Sequence, residues 1–180
     1  MKNDNRGLSL MELIAVIAMM AVMVGGFTYS TAFLSGRAAR ECMEKLSSAI
    51  EQNKATAAGK VDSYLEIYCD SESNVYVKEV SRGIDRDGND VVTESNPEMI
   101  GKGVILRYRV TGDGPGYYRN IGVDANHLIL GFNRSSGAFK DLRQMSPELE
   151  GKYCLEIKMS KANREYKISL SYLTGKITKE

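Results

Sequence analysis

Arg6-Gly7-Leu8-Ser9-Leu10-Met11-Glu12-Leu13 opens an apolar run that continues to about Leu34, and Glu12 is the one acid within it. On insertion scales a carboxylate in a lipid-embedded helix costs about 2.5–3.5 kcal/mol, and such residues are rare unless they find a partner. Glu12 therefore asks for a functional explanation. A secretory signal has an apolar core of only about 7–15 residues before its small-residue cleavage site. Leu8 to Leu34 is too long for that, although Ser30-Thr31-Ala32 forms a weak site of the kind. As a helix rising 1.5 Å per residue the run spans roughly 40 Å, more than the ~30 Å hydrocarbon core of a bilayer. A plain anchor fits the length but leaves Glu12 unexplained. Charge does not orient the segment, because Lys2 and Arg6 flank one end while Arg37, Arg40 and Lys45 flank the other.

Gly7, an apolar Leu8, Glu12 at the fifth position counted from Leu8, and the long apolar run together resemble the type IV pilins and pseudopilins of type II secretion. The resemblance covers about thirty residues. It implies a polar leader (1–7) cleaved between Gly7 and Leu8 by a prepilin peptidase, N-methylation of Leu8, and a transmembrane or filament-core helix over 8–34. It further implies a precursor in the bacterial cytoplasmic membrane with its head extracytoplasmic, later built into a filament. The implied partners are the prepilin peptidase, other pilin or pseudopilin subunits and the inner-membrane assembly platform. Glu12 is then the subunit-docking residue, paired with the Leu8 amine of a neighbour or with its own Leu8 amine one helical turn away. Many major pilins carry a proline in this helix; none is present here, which leans toward a minor pilin or pseudopilin.

Ala39, Cys42, Met43, Leu46, Ala49, Ile50 and Ala57 recur at three- and four-residue steps, which predicts an amphipathic helix extension over 35–58. Arg40, Glu41, Glu44, Lys45, Glu51 and Lys54 make its solvated face. From 59 to 180 the pattern becomes short alternating runs between turn signals. Strands are expected at Tyr64 to Cys69, Val75 to Val80, Val104 to Val110, His127 to Phe132, Ala138 to Asp141, Tyr153 to Met159, Tyr166 to Tyr172 and Lys176 to Thr178. The expected fold class is α+β: a pilin-like long N-terminal helix, half membrane and half amphipathic, packed on a C-terminal antiparallel β domain. Leu128 to Phe132 with Ser136-Gly137, and Tyr166 to Leu170 with Thr174 to Ile177, resemble the paired C-terminal hairpins of H-type minor pseudopilins.

Three candidate sites remain in the head. Cys69 and Cys154 fall in predicted strands and are candidates for a disulfide, with Cys42 left on the apolar helix stripe; three reduced buried thiols is the alternative. Asp85, Asp87, Asn89 and Asp90 have the oxygen density of a calcium loop around Gly88, but the bidentate glutamate of an EF-hand is missing. A polar hairpin turn explains them equally well, and no metal or other cofactor is expected. The formal charge is +1, of which the leader supplies one unit, so net charge makes no case for nucleic acid. Arg107, Tyr108, Arg109, Tyr117, Tyr118 and Arg119 support the alternative of a DNA-binding minor pilin of an uptake filament. His127, the single histidine, has no catalytic motif around it, and an enzyme is not expected.

Overall fold

The computed structural model describes residues 10–59, 62–85, 87–122 and 126–180, and the side chains of all these except 25–35. Helix α1 (Leu10–Ala57) is followed by strands β1 (Asp62–Cys69), β2 (Val75–Ile84), β3 (Asp90–Glu94), β4 (Glu98–Gly101), β5 (Ile105–Val110), β6 (Arg119–Asn120) and β7 (Leu128–Gly131). Two short 3-10 turns (Leu142–Gln144, Pro147–Leu149) lead into β8 (Cys154–Lys161), β9 (Arg164–Ser171) and β10 (Lys176–Lys179).

Turn chemistry sets the first sheet. Asp70 accepts the backbone N–H groups of Glu72 and Asn74 and the Asn74 side-chain amide, while Ser73 takes a positive φ. Asp85 repeats the arrangement with Asp87 and Asn89, Gly88 holding the positive φ. The two Asp-x-x-x-Asn loops close β1 on β2 and β2 on β3, giving the antiparallel order β3-β2-β1-β7, with β4 beside the other half of β2. The second sheet is the antiparallel order β10-β9-β8-β5-β6. Alternation decides what each strand buries: in β1 Ser63, Leu65, Ile67 and Cys69 face inward, Tyr64, Glu66 and Tyr68 outward. Inward residues of both sheets join one core that includes Ile67, Val75, Leu106, Leu128, Ile157, Met159 and Ile168. Each such side chain contributes roughly 1.5–3 kcal/mol by leaving water.

The expected architecture of a long helix, part membrane and part amphipathic, packed on a β domain requires correction. The described side chains of α1 fall in two short stretches, 10–24 and 36–57, and among the described residues no helix is long and apolar enough to cross a membrane. The chain divides into two compact units, Met1–Ser35 and Gly36–Glu180, and the second is mostly antiparallel sheet. Within the second unit the 36–57 stretch enters the core through Ala39, Cys42, Met43, Leu46 and Ile50. The reason lies in the pattern: 36–57 has one apolar stripe and so one face to bury, whereas 10–24 is apolar all round and has no preferred face. Cys42 lies so close to Gly101 of β4 that a Cβ there would sit 2.8 Å from its Sγ. Asn53 donates to Ser63 of β1, and Lys54 donates to the carbonyl of Gly175 just before β10.

β3, β4 and β6 are not among the expected strands, and two expected elements also differ. Leu128–Gly131 pairs with β1, because its alternation supplies Leu128 and Leu130 to the first sheet, and it does not join the antiparallel β8-β9-β10 meander at the C-terminal end. Ala138 to Asp141 makes a single bridge, Phe139 to Phe132, and no strand.

Candidate functional site

Gly7 and Leu8, the expected cleavage and methylation positions, lie outside the described residues. Glu12 is exposed in the first turn of α1. Around it Leu10, Met11, Leu13, Ile14, Val16, Ile17, Met19, Met20, Val22, Met23 and Val24 are all exposed, from 44% to 81%. Large apolar side chains so placed around a whole helical stretch form a patch that soluble monomers rarely present. At roughly 1.5–3 kcal/mol per covered side chain, a lipid or protein environment would gain on the order of 20 kcal/mol.

In the head, Cys42, Cys69 and Cys154 are free buried thiols and no bridge joins Cys69 to Cys154. Cys69 lies on β1 and Cys154 on β8, in different sheets. Burial pushes the Cys42 and Cys154 thiols up to about 12 and Cys69 to about 11. That is the reverse of what a nucleophilic or redox-active thiol needs. Within the candidate calcium loop the Asp85 oxygens are spent on the turn, accepting three hydrogen bonds from Asp87 and Asn89, and these hold its carboxyl below the usual range. Among the described residues no group of three acids, cysteines or histidine is placed to hold a metal ion.

The basic and aromatic residues that suggested nucleic acid are mostly engaged within the head. Arg109 forks onto Glu156 at 3.2 and 2.9 Å, and Tyr118 donates to the same carboxylate at 2.6 Å. Arg119 forks onto Asp113, and Tyr108 is buried. The Arg109 guanidinium first, with Tyr118 assisting against desolvation, holds the Glu156 carboxyl below the usual carboxylate range.

Two features went unread in the sequence. On the outer face of the first sheet His127 Nδ1 meets Glu66 Oε1 at 2.6 Å, and its ring stacks on Tyr68, which stacks on Tyr76, at 4.8 and 5.5 Å. The neighbouring Cys69 belongs to the core, so no thiolate pairs with the imidazole. The second is a groove of about 650 Å³ beside the outer edge of β10, walled by Lys54, Ala55, Ala58, Arg134, Lys176 and Ile177. Comparison of the chain with protein-family models, curated proteins and solved structures finds no match.

Proposed function

We propose that this chain is a structural subunit of a filament of the type IV pilus or type II secretion pseudopilus kind. It is a minor pilin or pseudopilin, held by its apolar N-terminal stretch at the bacterial cytoplasmic membrane with its head outside. The observation that carries this reading is the exposed apolar helical stretch 10–24 with a single acid, Glu12, set directly after the Gly7-Leu8 junction. Neighbouring subunits or lipid supply the cover that the stretch lacks.

In this reading a prepilin peptidase cuts between Gly7 and Leu8, the new amine is methylated, and Glu12 pairs with that amine of a neighbour to fix the stagger between subunits. Removing one member of a desolvated charge pair costs about 3–5 kcal/mol, because the other is left buried alone. Of the arginines behind the DNA-uptake alternative, Arg109 and Arg119 are engaged with Glu156 and Asp113, while Arg107 is exposed.

Glu12→Gln tests the assignment, because it keeps size and polarity while removing the charge. The variant is expected to be processed and membrane-associated as normal and to be excluded from filaments. Normal incorporation of Glu12→Gln would refute the docking role, and loss of cleavage alone would assign Glu12 to peptidase recognition instead.

A further inference from the structure

Among the described residues no strand pairs with the outer edge of β3 in one sheet or of β10 in the other. Their backbone directions follow from the ladders. Ser95 donates to Glu79 and Asp85 to Asn89, so the hydrogen-bonded pairs of β2 with β3 fall on odd-numbered residues and Asp90, Val92 and Glu94 turn their N–H and C=O groups outward. Lys167 and Glu180 exchange both backbone bonds, so alternation along β9 and β10 turns Ile177 and Lys179 outward. β3 is exposed along its whole length, with Val91 and Val92 open to solvent. An edge of this kind is a template for another strand.

Charge selects the partner. Paired with itself about Val92, β3 would set Asp90 opposite Glu94, and like charges directly opposite destabilise a pair. The β10 edge offers the complement: Lys176 and Lys179 exposed at its ends, and Lys54 and Arg134 outnumbering the single acid Glu51 along its groove. We propose that β3 of one copy of this chain adds as a strand to the β10 edge of a second copy. Antiparallel pairing of Val92 with Ile177 then puts Asp90 opposite Lys179. At the other end Gly175 is buried, its N–H bonded to Ser171 and its carbonyl to Lys54 Nζ at 2.9 Å, so the added ladder runs over Ile177 to Lys179 and leaves Glu94 in its ion pair with Lys78. Val91 meets Thr178 in a non-hydrogen-bonded pair, where side chains approach most closely. The contact joins two different surfaces of identical chains, so it is heterologous and extends head to tail.

This inference rests on the reading of the chain as an assembly subunit, and its test separates the two. Full-length chains carrying Val91→Cys and Thr178→Cys are expressed together in membranes and oxidised with copper phenanthroline; the native thiols are buried and do not compete. A mixed dimer is expected, with neither single variant crosslinking to itself. Asp90→Lys in the first chain is expected to lower the yield by up to about fivefold, the factor that corresponds to the roughly 0.2–1 kcal/mol of a cross-strand charge pair. Lys179→Asp in the second chain restores it. All four positions are exposed, and retained protease resistance of the head confirms folding. Chains that are processed and membrane-associated yet give no mixed dimer, or whose yield ignores both charge changes, overturn this contact while leaving the proposed function standing.

Discussion

Leu46→Ala and Ile17→Ala delete similar apolar volume from the same helix, and the structure gives them opposite costs. Leu46 is fully buried in the core that both sheets share. Truncating a leucine there removes transfer energy and leaves a cavity, about 2–5 kcal/mol together. Ile17 is 59% exposed, so its truncation has little packing to lose and is expected to cost within about 0.5 kcal/mol, as exposed substitutions generally do. Pulse proteolysis of full-length protein in mild detergent across a urea series measures both, because the head is the part that resists cleavage. The midpoint should fall for Leu46→Ala and stay in place for Ile17→Ala. A loss below about 1 kcal/mol for Leu46→Ala, or equal losses for the two, would refute the division of the helix into a stretch that builds the head and a stretch that does not.

Gly175 has a positive φ, and a Cβ there would fall 1.9 Å from the Gly137 carbonyl oxygen; Gly175→Ala should lower head stability by at least about 1 kcal/mol in the same assay. Glu156 and Asp113 both have carboxyls lowered by their arginines. Their contribution is therefore complete above the ordinary carboxylate range and is lost as pH falls through the lowered folded values. An acid titration of unfolding should show that loss reduced in Glu156→Gln, and an unchanged acid slope would count against the Arg109 fork. Thiol titration without reductant should find all three cysteines inert in the folded head and all three reactive in urea; a single reactive thiol would reveal a bridge.

Six of the strands, β1, β2, β5, β8, β9 and β10, were legible from apolar residues between turn signals: the two-residue period is unbroken in β1 and β5 and runs through part of β2, β8 and β9. β3 was missed although Asp87-Gly88-Asn89 announces a hairpin, because Asp90-Val-Val-Thr-Glu94 buries neither face and so shows no alternation. β4 was missed for its brevity and for Pro97 just ahead of it. Which sheet a strand joins is a long-range matter that local pattern does not carry; this is why Leu128–Gly131 reads as a partner of the C-terminal strands and pairs with β1. The apolar stripe through Leu46 and Ile50 was readable as a core face. The all-round apolarity of 10–24 was equally plain, but what covers it depends on surroundings outside the chain. The His127–Glu66 pair joins residues 61 positions apart, and the β10 groove gathers Lys54, Arg134 and Lys176 from three elements; neither leaves a local signature.

Intact-mass and N-terminal sequencing of the protein isolated from its own host's membranes tests the subunit reading most directly. The account predicts a chain that begins at Leu8 with a methylated α-amine, the first seven residues removed. A chain beginning after Ala32, or one that keeps its leader in a host with an active prepilin peptidase, would contradict it.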